Sequence, residues 1–321
     1  MVEDATDDEP TLRQMGEFTV IDRLVAGRRL GPGVSVGPGD DAAVLQAPDG
    51  RVAVSTDMLV EGRHFRLDWS TPEQVGRKAI AQNAADIEAM GARVSGFVAA
   101  FGAPADTPVA MVTALVDGMW SEAAAVGAGI VGGDLVASPQ WVVSVTALGD
   151  LGGREPVLRG GARPGSVIAV AGELGRSAAG FALWRNGIGD FPDIRERHLV
   201  PLPPYGQGRA AAEAGALAMT DVSDGLLADL GHMAVASGVV MDLRRAALRE
   251  DVDAVSAAAE ATGVDPWSLV LSGGEDHALV ACFPDYPPHG WRVIGAVRSG
   301  AAEVLLDGRG WDGPSGWQSY D

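Results

Sequence analysis

The sequence predicts an α/β protein of two domains. Strand-like and helix-like segments alternate along its length, and a cluster of structure breakers divides it near the middle. With 321 residues, 47% of them hydrophobic, there is enough apolar material for two cores of ordinary size. We expect residues 1–14 to form a disordered acidic start, residues 15–158 a first domain, and residues 159–321 a second α/β domain.

In the first half, residues 52–56 read as a strand with Asp57 at its C-terminal end. Thr71-Pro72-Glu73-Gln74 then supplies a capping hydroxyl, a proline at the first helical position and a Gln three residues on, which starts a helix running to about Met90. Gly91 suits the left-handed turn after a helix end, and residues 94–101 give the next strand. A helix over about 107–126 leads into short apolar strands at 129–131 and 141–148. The breakers occupy residues 159–165, and a strand follows at 167–171, with helices near 177–185 and 206–216 around a proline-rich connection at 201–204. No internal repeat of solenoid period is present.

Forty-three acidic against twenty-four basic residues give a net charge of -19, which repels nucleic-acid backbones and anionic membranes. The opening residues lack the basic start and apolar stretch of a secretory signal, and no run of about 18 apolar residues occurs. We therefore expect a cytoplasmic protein with no nucleic-acid or membrane partner. Cys282 is the sole cysteine, which excludes an internal disulfide and leaves too few thiolates for a cysteine-based zinc site. Any metal must be held mainly by oxygen.

Aspartates in glycine-rich or strand-end contexts carry the chemistry: Gly39-Asp40-Asp41, Ser55-Thr56-Asp57, Gly132-Gly133-Asp134 and Thr220-Asp221-Val222-Ser223-Asp224-Gly225. Each alone is an ordinary turn motif. Together, at strand ends where α/β sheets gather ligands, they suit two or more Mg²⁺ ions, which take one or two carboxylates each plus water and phosphate oxygens. Asp86 differs, because helical spacing puts it on the face shared by Ala79, Asn83 and Met90. A carboxylate on a buried face is costly unless paired or metal-bound, so we read it as a ligand, with Asn83 one turn earlier to orient it. The Gly-x-x-x-x-Gly-Lys-Ser/Thr loop and the His-Arg-Asp protein-kinase signature are both absent.

In order, these segments resemble the thiamine-monophosphate kinase family, of the superfamily that includes aminoimidazole ribonucleotide synthetase and selenophosphate synthetase. The most specific pieces are Pro38-Gly39-Asp40-Asp41-Ala42-Ala43-Val44, residues 55–65 from Ser55 to Phe65, Gly132-Gly133-Asp134, Val222-Ser223-Asp224-Gly225-Leu226 and Ser272-Gly273-Gly274-Glu275-Asp276. The likeness extends from Gly16 to Trp317. It implies a two-domain aminoimidazole ribonucleotide synthetase-like α/β (α+β) fold whose N-terminal domain binds ATP and Mg²⁺ and whose sheet closes a barrel across a homodimer. Strands 52–56, 94–101 and 141–148, apolar at nearly every position, permit such a partner.

The implied activity is ATP-dependent phosphorylation of thiamine monophosphate, assisted by several Mg²⁺ ions. Carried over by position, the resemblance implies magnesium ligation by Asp41, Asp57, Asp86, Asp134, Asp221 and Asp224, with oxygen from Ser55 and Thr56. It implies nucleotide contacts from Gly133, Asp134, Arg159 and Ser223, and contacts to thiamine monophosphate from His64, Glu275 and Trp317. No acid or base residue is assigned. Three features depart from the family pattern: Ala85 where serine is common, His277 where an aromatic is common, and Gln318-Ser319-Tyr320 after Trp317. The residues alone leave open another ATP-dependent synthetase of the superfamily, or a non-catalytic acidic sensor of Mg²⁺ or nucleotide.

Overall fold

A computed structural model of the protein describes residues 9–38 and 42–316. The chain forms two compact units. One contains the residues up to Asn83 together with Val94–Asp150, and the other contains Ala84–Arg93 together with the residues from Leu151 onward. The predicted helix from Thr71 is present as a long helix whose last turns group with the second unit.

The first unit contains α1 (Leu12–Met15), α2 (Glu17–Val25), β1 (Val34–Val36), β2 (Val44–Leu45), β3 (Ala53–Val60), the start of α3 (Pro72–Ala89), β4 (Arg93–Ala103), α4 (Val109–Ala125), β5 (Ile130–Ala137) and β6 (Val142–Asp150). β1 and β2 form an antiparallel pair, and the main sheet runs β3-β6-β4-β5. The capping box is formed as read: the Thr71 N–H donates to Gln74 Oε1 at 2.9 Å, and the Gln74 N–H donates to Thr71 Oγ1 at 3.2 Å. Gly91 takes φ +72°, the left-handed turn beyond the helix.

β3 pairs with β6 without a break, from Ala53 opposite Gly149 to Val60 opposite Val142. Alternation then sorts the side chains by face. Leu59, Val143, Val145 and Ala147 are buried, whereas Val54 and Met58 are 61% and 53% exposed. Val52, Val98 and Val136 are exposed as well. The sheet thus has one packed face, while its other side sets exposed Val54, Met58, Val98 and Val136 among polar groups such as Thr56 and Asp134.

α3 and α4 meet backbone to backbone. A Cβ added at Gly76 would lie 1.9 Å from the carbonyl oxygen of Leu115, and one at Gly118 would lie 2.0 Å from that of Glu73. Glycine inside a helix costs about 1 kcal/mol relative to alanine, and here the close crossing requires it on both partners. Arg77 on α3 bonds Glu122 on α4 at 3.0 Å beside the crossing.

The second unit is built on a six-stranded sheet. Its elements are β7 (Val167–Ala171), α5 (Arg176–Arg185), α6 (Pro192–Leu199), α7 (Gln207–Glu213), β8 (Ala218–Val222), α8 (Leu226–Ser237), β9 (Val240–Leu243), a 3-10 turn (Arg245–Leu248), α9 (Arg249–Thr262), α10 (Pro266–Ser272), β10 (Ala278–Phe283), β11 (Arg292–Arg298) and β12 (Glu303–Leu306). The strand order is β12-β9-β11-β7-β10-β8, antiparallel throughout except for β12 beside β9.

One face of that sheet packs Ile168, Val170, Val222 and Val280 against α5, α8, α9 and α10. The other packs Ala169, Met219, Leu279 and Phe283 with Ala211 of α7 and Ala89 at the end of α3. With both faces covered, β8 and β10 are buried at every position. Glu88, in the last turn of α3, accepts the N–H groups of Gly206 and Gly208 at 2.9 Å each, at the start of α7. Burial pushes its carboxyl above the ordinary range, and those N–H bonds pull against the shift.

The α3–α4 crossing makes a direct prediction. Gly76→Ala and Gly118→Ala should each destabilise the protein by about 2–4 kcal/mol, because the clash is with backbone that cannot step aside. Gly231→Ala, at a helical position with open space around it, should be neutral or stabilising by up to about 1 kcal/mol. Urea-melt midpoints compare the three, and equal midpoints would refute the packing role of the crossing.

Candidate functional site

The tightest assembly of predicted site residues lies in the second unit, around the turn that leaves β8. Asp221 is the penultimate residue of that strand, and residues 223–225 turn the chain into α8. A single carboxylate oxygen, Oδ2 of Asp229, accepts the backbone N–H groups of Ser223, Asp224 and Gly225 at 3.0, 3.1 and 3.1 Å. Asp229 lies on the buried face of α8 with Leu226, Leu230 and Met233. It thus satisfies N–H groups that a helix start leaves without partners and fixes the turn that presents Asp224.

The segment carrying Glu275 is tied to the same turn. The Glu275 N–H donates to the Ser223 carbonyl at 2.8 Å, and the His277 N–H donates to the Val222 carbonyl at 2.9 Å. His277 Nδ1 lies 3.2 Å from Asp221 Oδ2, both groups being buried. A carboxylate can only accept in this contact, so Nδ1 carries the proton. Burial alone would lower the pKa of His277, but the bond to Asp221 and the charges of Asp221, Glu275 and Asp86 outweigh it and hold the imidazole above its usual value. Asp86, half-buried near the end of α3, therefore belongs to this acidic group.

Arg159 donates from Nε to Thr220 Oγ1 at 3.3 Å, one residue before Asp221. Glu275 Oε2 lies 3.5 Å from His198 Nδ1. Trp317 lies outside the described residues, but the chain just before it passes this turn: a Cβ on Gly316 would meet the Asp224 carbonyl oxygen at 2.7 Å.

In the first unit the predicted residues have different settings. Ser55, Thr56 and Asp57 are inside β3, and Asp134 is inside β5 opposite Ala100. The expectation that Asp57 and Asp134 end their strands is corrected, because pairing continues three residues beyond each. Asp57 is on the more buried side of β3, and its N–H donates to Asn83 Oδ1 at 3.1 Å, while Asn83 Nδ2 donates to the Ala79 carbonyl. Thr56, on the exposed side, donates to the Val145 carbonyl and receives a bond from Thr146. Asp134 is exposed beside Gly133, with Oδ1 accepting the Leu135 N–H at 2.9 Å. His64 is exposed, and its Nδ1 accepts the Val60 N–H at 3.1 Å, which leaves the proton on Nε2. Asp41 lies outside the described residues.

The donor set of the second unit fits a divalent cation. Burial first, and then the charges of Asp221 and Asp224, push the Asp229 carboxyl up to about 7 despite the N–H bonds it accepts. Acids crowded in this way repel one another, and a hard cation bound by oxygen offsets that repulsion. Sequence reasoning missed Asp229, although the signal was available: it stands on an apolar helix face, as Asp86 does.

Both halves of the chain match domains of one enzyme class. Residues 39–151 match the model for the AIR synthase related protein, N-terminal domain, and residues 163–297 match that for its C-terminal domain. Within that class the chain belongs to the thiamine-monophosphate kinase family. It is 69% identical to the thiamine-monophosphate kinase of Mycobacterium tuberculosis, over 98% of this chain and 94% of that protein. The corresponding protein of Corynebacterium glutamicum is 44% identical over 99% of this chain and 97% of its own length. The crystal structure of the Stenotrophomonas maltophilia enzyme superposes with a TM-score of 0.77 at 31% identity, covering 92% of this chain and 97% of that one. A structure described as AaThiL complexed with AMPPCP and TMP superposes with a TM-score of 0.74 at 29% identity, covering 97% of this chain and 99% of that one.

The crowding of carboxylates can be tested without an activity assay. Asp224→Asn should raise the metal-free melting temperature at pH 8 by about 1–4 °C by removing one repelling charge. It should also shrink the further rise that Mg²⁺ produces in the wild type. A lowered metal-free melting temperature with an unchanged Mg²⁺ response would show that Asp224 neither repels its neighbours nor binds the ion.

Proposed function

We propose that the chain transfers the γ-phosphoryl group of ATP to the phosphate of thiamine monophosphate, giving thiamine diphosphate and ADP. The observation that carries this reading is the 69% identity, over nearly the full length, to a protein named thiamine-monophosphate kinase. A structural relative described with AMPPCP and TMP bound supports the same pair of substrates.

Transfer between phosphates demands positioning and charge neutralisation. The acceptor is a phosphate oxygen already largely ionised near neutral pH, so no side chain is needed to take its proton. Asp57 and Asp134 of the first unit, Asp86, Asp221 and Asp224 of the second, and Asp41 are the carboxylates that would hold Mg²⁺, with oxygen from Ser55 and Thr56. Thr56 already bonds Val145 and Thr146 on the exposed side of β3, so on the Asp57 side it has only backbone to offer. Bound Mg²⁺ would neutralise the phosphates and hold them for in-line transfer. Gly133, Asp134, Arg159 and Ser223 would contact the nucleotide, and His64, Glu275 and Trp317 the thiamine phosphate. Stacking the cationic thiazolium on the Trp317 indole is worth about 0.5–2 kcal/mol. ATP supply is consistent with a cytoplasmic enzyme.

A homodimer belongs to the same reading. The exposed side of the first unit's sheet carries Val54, Met58, Val98 and Val136, with Val52 exposed just before β3, and exposed apolar side chains gathered on one sheet face favour an interaction site. A symmetric partner presenting the same surface would cover it and, as the family resemblance implies, close a barrel from two sheets.

Two experiments test these statements. ADP release from ATP and Mg²⁺ should rise at least a hundredfold when thiamine monophosphate is added, and a rate independent of it would overturn the assignment. Light scattering should give a mass near twice 33.0 kDa, and Val98→Asp should shift the protein to monomer or aggregate. A fully active wild-type monomer at micromolar concentration would remove the dimer.

A further inference from the structure

The segment that carries Glu275 is held in backbone geometry that non-glycine residues avoid. Glu275 has φ +63° and His277 has φ +52°, while Phe191 and Asp307 are the other non-glycine residues with positive φ among those described. Such conformations cost about 1–2 kcal/mol for each L-residue and persist only where the surroundings over-determine them. Between the two stands Asp276, whose side chain turns inward and is buried.

The Asp276 carboxylate engages both of its oxygens at the start of α5. Oδ2 accepts the Gly175 N–H at 2.5 Å, and Oδ1 accepts the Ser177 N–H at 2.9 Å. Gly175, the residue before α5, has no side chain to cap the helix, and Asp276 supplies the missing acceptor from about a hundred residues away. On either side of Asp276, the N–H groups of Glu275 and His277 are bonded to the Ser223 and Val222 carbonyls. The strained turn is thus fastened at three consecutive residues, the outer two to the turn after β8 and the middle one to the start of α5. The Glu275 side chain, 36% exposed, is left facing His198.

We propose that Asp276 is a positioning residue: by capping α5 it locks the strained turn and so fixes the direction of the Glu275 carboxylate toward the acceptor substrate. The proposal rests on the reading of Glu275 as a contact to thiamine monophosphate. Asp276 itself touches no substrate. It acts through Glu275, so its loss should damage acceptor binding and leave ATP binding nearly intact. Asn in its place keeps one acceptor oxygen but turns an N–H₂ group toward a backbone donor, so one of the two fastenings is lost.

The test combines kinetics with amide exchange. In the wild type, the amides of Gly175, Ser177, Glu275 and His277 should exchange at least about a hundredfold more slowly than in an open chain. In Asp276→Asn, protection should fall at Gly175 or Ser177 and at Glu275 together. The KM for thiamine monophosphate should rise at least tenfold with that for ATP within twofold. Glu275→Gln should raise the same constant, and the double variant should be no worse than the more impaired single one, because the two residues act as one unit.

Equal changes in both KM values, or effects that multiply in the double variant, would reduce Asp276 to a structural residue. An unchanged KM in Glu275→Gln would sink the proposal with its premise. Should Asp276→Asn fail to fold, unprotected wild-type amides at Gly175 and Ser177 would still overturn it. If the wild type does not turn over thiamine monophosphate at all, the kinase reading falls, and the amide comparison still decides whether Asp276 holds the turn.

Discussion

Three backbone N–H groups converging on one oxygen of Asp229 set the shape of the second unit's acidic site. Without an acceptor, the first turn of α8 would leave those donors unpaired beside buried Leu226 and Leu227. With it, the turn is rigid, Asp224 projects from a fixed backbone, and the Ser223 carbonyl is placed to receive Glu275. A buried carboxylate next to two others is an expensive way to build a turn, as the rise of the Asp229 pKa to about 7 records. The cost is tolerable because the same carboxylate replaces three missing backbone partners and because a cation in this place would relieve the crowding.

Much of this was legible in the sequence, for physical reasons that differ from element to element. The capping box at Thr71 was readable because its chemistry is local, two side chains three residues apart completing each other's bonds. Asp86 was readable because helical periodicity sets it among buried neighbours. Asp57 and Asp134 were misplaced at strand ends because a strand's length depends on its partner: β6 continues opposite β3, and β4 beside β5, well past either aspartate. The antiparallel order of the second sheet was hidden for the same reason, since which strands pair is settled across long stretches of chain. The place of Asp229 on an apolar helix face was a signal left unused, whereas the cap made by Asp276 and the position of His198 were hidden because their partners are backbone groups or distant side chains that no spacing rule collects.

The two units use opposite means to manage apolar surface. In the second, helices lie on both faces of the sheet, so β8 and β10 are buried throughout. In the first, α3 and α4 approach until their backbones touch at Gly76 and Gly118, while the sheet's outer face keeps exposed valines and a methionine. A protein with a net charge of -19 resists non-specific association. An apolar face on such a chain would therefore suit a partner that fits it closely, which is the role the proposed second copy would fill.

That net charge also bears on the chemistry. ATP is a polyanion and thiamine monophosphate presents an anionic phosphate, while carboxylates are the commonest of the residues proposed to meet them, with Arg159 the single fixed cation among them. A site of this composition would not attract phosphates by its own charge, and on the reading proposed above divalent cations held by the carboxylates would supply the attraction. Such a site discriminates by geometry, because each cation can bind a phosphate only if the surrounding carboxylates are aimed correctly. The bonds that orient the carboxylates then matter as much as the carboxylates themselves: Asn83 on the Asp57 backbone, His277 on Asp221, and Asp229 on the turn of Asp224. Each uses a donor or acceptor that adds no competing positive charge at neutral ground state, save His277, whose raised pKa is itself a product of the acids around it. Local cationic charge on that imidazole is thus set by the acids packed around it.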